Sequence, residues 1–219
     1  MEKVTVLASG GLDSSILISD LARTHTVFPV YVSKGMFWET AERRVLPAFI
    51  EALGNRNIQP VVDLSLPIQT FYDNHWSITG VDIPGATTED KAVFLPGRNV
   101  LLLSLAAVWS TIRGITDIAI GSLGNNPFSD ASEGFFDSFA KVLGTGLDAE
   151  IKISAPYRGL TKDEIIRRNP DLPLDLTLTC IAPRNTVHCG DCNKCNERKS
   201  AFVKAMIKDP TIYQTEAKC

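Results

Sequence analysis

Long runs of lysine or arginine are missing from this 219-residue chain, and its formal net charge is −3. A broad electrostatic footprint for nucleic acid is therefore absent, although a local basic groove is still allowed. The longest apolar run, Val100 to Trp109, is broken by Ser104 and is too short to span a bilayer. The opening residues MEKVTVLASGG carry no positive leader, apolar core or small-residue cleavage site, so they read as a first strand and not as a signal peptide. Internal repeats and low-complexity tracts are also absent. Cysteine is scarce, with five in all, and four of them crowd together near the C-terminus. Without an export signal, that clustering points to a metal and not to a disulfide framework. The expectation is a cytoplasmic protein with no membrane segment.

What is present alternates between strand and helix signals. The β-branched run Lys3 to Ala8 reads as a strand buried on both faces. Leu12, Ile16, Leu17 and Leu21 give the next segment an apolar helical face. A second strand over Val27 to Val32 precedes a helix from about Glu39 to Leu53, in which Pro47 is expected to kink the helix or shift its start. Pro60 to Leu64 reads as a third strand, and Pro67 to Phe94 as a long functional connection. FLPGRN, Phe94 to Asn99, then turns into a helix reaching about Ile112 that is apolar nearly all round and so expected to be deeply buried. Strands at Asp117 to Ser122 and Ile151 to Ala155 flank an amphipathic helix ending near Leu147. Thr161-Lys162-Asp163-Glu164 spells a capping box for a helix that stops at Asn169-Pro170, and a closing helix runs from about Glu197 to Lys208. This order predicts an α/β fold with a doubly wound, mostly parallel sheet. Residues 1–175 form the nucleotide-binding part in this reading, and residues 176–219 a small metal-binding appendage.

The first strand-to-helix turn is Ala8-Ser9-Gly10-Gly11-Leu12-Asp13-Ser14-Ser15. In such sheets this turn is the usual phosphate site. Gly10 and Gly11 let the backbone approach an anion, and the amides that follow open a helix whose dipole favours negative charge. Ser9, Ser14 and Ser15 add hydroxyls, while Asp13 can orient them or help hold Mg²⁺. The plainer alternative is a tight turn with Asp13 or Ser14 as helix cap. Neither the Gly-Lys-Ser/Thr ending of a Walker loop nor G-x-G-x-x-G is present. The S-G-G-x-D-S order resembles the PP-loop of the ATP pyrophosphatases. That resemblance implies an adenine nucleotide alpha hydrolase-like fold and a grip on the pyrophosphate of ATP by Ala8 through Ser15. It also implies that a substrate oxygen attacks the α-phosphorus before a nitrogen or sulfur nucleophile displaces AMP.

Cys180, Cys189, Cys192 and Cys195 follow C-x8-C-x2-C-x2-C, with Gly190 allowing a tight knuckle. Four converging thiolates suit tetrahedral, closed and therefore structural Zn²⁺. An iron–sulfur cluster, a disulfide pair and reduced bystanders are the alternatives. His188 and the final residue, Cys219, read as bystanders.

The PP-loop, FLPGRN and LTC followed by C-x-x-C-x-x-C together resemble the 7-cyano-7-deazaguanine synthases over nearly the whole chain. The resemblance implies a nitrile-forming ATP-dependent ligase. A 7-carboxy-7-deazaguanine carboxylate is adenylated, attacked by ammonia to give an amide, then activated again and dehydrated. AMP and pyrophosphate, or ADP- and phosphate-type products, leave. It also implies structural zinc, ATP with Mg²⁺ as cosubstrate, and a homodimer. Asp13, Ser14, Arg98 and Lys162 are the expected catalytic residues, and Gly97 and Arg98 join the loop in holding ATP. Arg98 suits bidentate contact to phosphate or carboxylate, or else caps carbonyls or pairs at the surface. Lys162 reads either as a second phosphate contact or as a solvated first-turn residue, and Asn99 as a substrate-side group or simply a helix cap. Phe94 and Trp109 read as core.

Two loops depart from the family pattern. Where the family carries Tyr-x-Gln-Arg-His, this chain has Val32-Ser33-Lys34-Gly35-Met36-Phe37-Trp38-Glu39, in which only Glu39 is retained. The segment Asn125 to Glu133 keeps Asp130 and the following Phe135 but lacks the family's Arg. Lys34, Glu39, Asn99 and Asp130 are the substrate-side candidates. A polar purine site discriminates strongly, so these changes leave other carboxylates open as substrates. The alternatives are an amide ligase, a sulfur transferase, an enzyme attaching a deazapurine to a nucleic acid or protein, and a non-catalytic nucleotide-binding zinc module.

Overall fold

The computed structural model describes residues 1–124 and 126–214, so Asn125 and Cys219 lie outside the described residues. Five strands form one sheet: β1 (Glu2–Leu7), β2 (His25–Ser33), β3 (Val62–Ser65), β4 (Asp117–Ala119) and β5 (Lys152–Ser154). Their spatial order is β3-β2-β1-β4-β5, and every neighbouring pair is parallel. Strand β1 sits at the centre because both its faces are apolar. Val4, Val6 and Ala8 enter one cluster and Leu7 enters the other. Thr5, fully buried, is satisfied by a 2.7 Å hydrogen bond with Ser110 Oγ.

Helices cover both faces. On one lie α1 (Leu12–Leu21), α2 (Glu39–Leu53), α7 (Lys162–Arg168) and α8 (Asn193–Ala205), and on the other α5 (Arg98–Thr111) and α6 (Glu133–Leu147). The chain changes face between β3 and β4, which leaves a crevice beyond the carboxyl ends of β1 and β4, the expected ligand position in a doubly wound sheet. A third apolar cluster roofs that end. It joins Met36, Trp38, Ile68, Val93 and Leu95 to Leu178, Cys180 and Ile181.

Several local expectations need correction. Helix α2 starts at Glu39, so Pro47 does not shift its start; Pro47 and Arg43, whose carbonyl the proline leaves unbonded, are both exposed to solvent. The long connection contains the one-turn helices α3 (Gln69–Tyr72) and α4 (Trp76–Thr79) and a 3₁₀ turn at Asp90–Val93. Helix α5 is not buried all round, since Val108 and Ile112 are 45% and 75% exposed. Helix α8 starts at Asn193, earlier than expected, because Cys192 caps it by accepting the Cys195 N–H on Sγ at 3.4 Å. The capping box on α7 is present, with the Thr161 N–H donating to Glu164 Oε2 at 2.7 Å.

Arg198, on α8, is fully buried and stitches three segments together. Its guanidinium donates to the Leu174 carbonyl (2.7 Å), to Thr177 and Thr179 Oγ1 (2.8 and 3.0 Å), and to Thr211 Oγ1 (2.6 Å). Arg198→Met keeps much of the volume but strands these acceptors. The expected loss is about 3 kcal/mol in urea unfolding at unchanged m-value. A loss below about 1 kcal/mol would mean that water replaces the guanidinium.

Candidate functional site

A cavity of about 330 Å³ opens over the carboxyl ends of β1, β2 and β4. Its floor is the β1–α1 turn. Gly10 has φ +71°, and a Cβ there would sit 3.0 Å from Val45 Cγ2 and 3.1 Å from the Glu42 carbonyl oxygen, so α2 leaves room only for glycine. Ser9 Oγ accepts the Gly11 N–H at 3.2 Å. Ser14 Oγ donates to the Gly11 carbonyl and accepts the Ser9 N–H, both at 3.2 Å. The hydroxyls thus brace the turn, and the first amides of α1 lack helical acceptors, as at any helix start. This arrangement is suited to an anion. Ser15 is fully buried in α1 and does not line the cavity. Gly121, after β4, was not singled out by sequence. A Cβ on it would lie 3.1 Å from Ser14 N, so this glycine lets the β4 loop close on the helix start.

Lys162 arrives from α7 and is 7% exposed, so it is not a solvated first-turn residue. Its Nζ lies 3.2 Å from Asp13 Oδ2 and 2.5 Å from Glu197 Oε1, while Lys194 holds the other Glu197 oxygen at 2.7 Å. Burial alone would lower the Lys162 proton affinity, but the two carboxylates outweigh it and raise it. Burial would likewise raise the Glu197 carboxyl, yet Lys162 and Lys194 hold it at about 2. Glu197 and Lys194 line the cavity but escaped sequence reasoning, because their (i,i+3) pair gains its place there only through Lys162 on a distant element.

At the β2 end, Lys34 is buried and its Nζ donates to the Val32 carbonyl at 2.9 Å. Burial, then the neighbouring Arg98 charge, lowers this lysine to about 8. Glu42, also missed by sequence, accepts from Tyr31 Oη (2.8 Å) and Trp38 Nε1 (3.1 Å). Burial pushes its carboxyl up. Glu39 stands apart from the other candidates. It accepts from Ser33 Oγ at 2.9 Å and from the Lys34 N–H, which fixes the loop beneath the cavity and not its lining.

Gly97, at φ +74°, is the N-cap of α5, so the reading of Asn99 as cap is corrected. Asn99 is instead the second helical residue. Its N–H donates to Asp130 Oδ2 at 3.1 Å and its Nδ2 to the Asp130 carbonyl at 3.0 Å, tying α5 to the loop after β4. Arg98 lines the cavity, and its Nε is buried without a partner. Phe94 is also part of the lining, paired with Phe128 at 4.9 Å between ring centres, whereas Trp109 lies in the core as expected.

The four cysteines converge so that all their sulfurs lie within 4.8 Å of one another. The separations are 3.4 Å for Cys180–Cys189, 3.8 Å for Cys189–Cys195 and 3.9 Å for Cys180–Cys192. A zinc–sulfur bond of about 2.3 Å requires tetrahedral edges of about 3.8 Å, so the set fits Zn²⁺. The Ala182 and Cys189 N–H groups donate to Cys180 Sγ at 3.3 and 3.2 Å, which supports thiolate charge. His188 stays outside the set, its Nε2 accepting the Thr179 N–H at 3.1 Å.

Residues 3–206 match the family described as queuosine biosynthesis protein QueC. The chain belongs to the QueC family. Proteins named 7-cyano-7-deazaguanine synthase are similar along their whole lengths. The one from Nitrosomonas eutropha is 31% identical over 98% of this chain and 99% of its own. That from Acidobacterium capsulatum is 29% identical over 97% and 96%, and that from Methanobrevibacter smithii 28% over 97% and 98%. A solved structure titled as a predicted subunit of tRNA methyltransferase from Methanocaldococcus jannaschii overlaps 75% of this chain and 72% of its own, at 14% identity and TM-score 0.48. This QueC-family chain has no helix, among the described residues, long and apolar enough to cross a membrane.

The thiolate set generates a direct expectation. Purified chain should carry one zinc per molecule by elemental analysis, and Cys195→Ser should lose it and melt about 10 °C or more below wild type. A brown protein with iron and sulfide absorbance would assign the site to a cluster instead.

Proposed function

We propose that this chain is an ATP-dependent, nitrile-forming synthase acting on 7-carboxy-7-deazaguanine or a closely related acid. The observation that carries this reading is that one cavity is lined both by a braced PP-loop turn and by Lys34 and Arg98. Family membership and full-length similarity to named synthases supply the substrate class.

The steps follow from what these residues offer. ATP binds with its pyrophosphate over Ser9 to Ser14, against the open amides of α1. Asp13, beside Lys162, is the loop's carboxylate for the accompanying Mg²⁺. A substrate carboxylate oxygen attacks the α-phosphorus, the bond to the bridging oxygen breaks, and the negative charge passes to departing pyrophosphate. Loop amides, Ser14 and the Lys162 ammonium stabilise that charge. Ammonia then displaces AMP from the acyl adenylate and loses a proton, which gives the amide. The amide oxygen then attacks the α-phosphorus of a second ATP, releasing pyrophosphate, and departure of AMP with loss of the two N–H protons leaves the nitrile. No nucleophile on the protein is required, because positioning and charge stabilisation suffice. Zinc, when bound by Cys180, Cys189, Cys192 and Cys195, is coordinatively closed and contributes folding, not chemistry. The reaction belongs to the cytoplasm, where ATP and ammonia are at hand, and a homodimer is the expected assembly.

Incubation with ATP, Mg²⁺, ammonium and 7-carboxy-7-deazaguanine should release AMP and pyrophosphate and give a product with the nitrile's mass. Ser14→Ala should slow AMP release about 100-fold with zinc content unchanged. AMP release with unaltered deazaguanine would remove the substrate assignment. No AMP with any of a panel of carboxylates would favour a non-catalytic zinc module.

A further inference from the structure

Two cations in the central cavity make no contact ion pair among the described residues, although carboxylates stand near them. Every other lysine lining it is paired: Lys162 with Asp13 and Glu197, and Lys194 with Glu197. Neither Lys34 nor Arg98 enters any ion pair among the described residues. Lys34 is 6% exposed and spends one donor on the Val32 carbonyl, which leaves two. Arg98 keeps its Nε buried with no partner. Two like charges held together out of water, with carboxylates near but not in contact, favour an anion that binds them directly.

The groups around Lys34 do not supply that anion by contact. From its own strand, the Tyr31 ring lies 5.8 Å from Nζ. From α2, Glu39 accepts from Ser33 Oγ and the Lys34 N–H, and Glu42 from Tyr31 and Trp38; both act on the Lys34 ammonium from beyond contact and offset burial and Arg98 only in part. From α5 comes a second cation, Arg98, close enough to depress the lysine's proton affinity. The cavity walls beside these charges are flat. Trp38 stacks with Trp76 at 5.8 Å between ring centres, Phe94 pairs with Phe128, and all four rings line the space.

We infer that the Lys34 ammonium, with Arg98 as its neighbour, is the seat for the carboxylate of a flat aromatic acid. Lys34 is thus a specificity residue of this chain's own, carried by the SKGMFWE segment that departs from the family pattern. The assignment deepens the synthase reading and rests on it only for the identity of the ring. A phosphate of ATP is the other anion able to occupy the seat, and the binding arms below separate the two.

Trp38 and Trp76 make binding readable as quenching of intrinsic fluorescence. The probes are 7-carboxy-7-deazaguanine and its primary amide, indole-3-carboxylate and its carboxamide, and Mg·ATP. Wild type should bind at least one acid more tightly than its amide. Lys34→Met should weaken that acid about tenfold or more, erase the acid-over-amide preference, and leave Mg·ATP within about twofold. Wild-type protein gives an independent check without mutation. Acid affinity should be full below the Lys34 value of about 8 and fall as pH rises through it, while amide affinity stays level. Binding of indole-3-carboxylate but not 7-carboxy-7-deazaguanine, with the same Lys34 dependence, would remove the proposed substrate yet support the seat. The seat is overturned if Lys34→Met keeps the acid preference, if its loss falls on Mg·ATP, or if wild type binds neither acid.

Discussion

Much of this molecule depends on one backbone hydrogen bond, from the Leu178 N–H to the Gly10 carbonyl at 2.8 Å. It lays the segment leading into Cys180 across the turn that forms the cavity floor. Gly10 can receive it only because its left-handed backbone aims the carbonyl away from α1. The turn is therefore held from three sides, by its own serines, by α2 beneath it and by this crossing segment above. Two residues further along the crossing segment is a thiolate of the four-cysteine set, so metal binding and the shape of the turn are mechanically linked.

A second link runs through charge. Lys162 joins Asp13 of the turn to Glu197 of α8, the helix that Cys192 caps and on which Cys195 sits. Arg198, one residue on, secures the chain on either side of the crossing segment through Leu174, Thr177 and Thr179. The cysteine-bearing tail thus contributes walls to the cavity and not merely a distant clamp. A metal held by the four cysteines would therefore act on the shape of the cavity as well as on the tail. Of residues 178–197, Leu178, Thr179, Ile181, Lys194 and Glu197 line the cavity.

Much of the fold was legible along the chain because its signals are local. The central strand shows as an apolar run, α2 was bounded at Glu39 and Leu53 by its pattern, and the α7 capping box is written in four consecutive residues. Legibility failed where solvent or a distant partner decides. Pro47 does not shift the start of α2, because it lies exposed where solvent can reach the carbonyl it leaves unbonded. Helix α8 begins early, because a cysteine side chain supplies the cap. Asn99 is not a cap, because Gly97 takes that place and Asp130, from the loop after β4, holds the asparagine. Glu39 looks like a ligand group in sequence but is consumed in holding its own loop.

The sequence by itself determined the glycine–serine turn and the thiolate set. Both are built from neighbours in the chain, whose spacing alone brings backbone amides or sulfurs together. Only the tertiary structure decided that Lys34, Glu42 and Arg98 face one space, that Lys162 is spanned by two carboxylates, and that Phe94 belongs to a wall and not to the core. These residues come from different strands and helices, and their meeting is set by strand order and by the crossover between sheet faces. Whether a charge is paired or left open for a ligand depends on those long-range neighbours, and no local pattern records them.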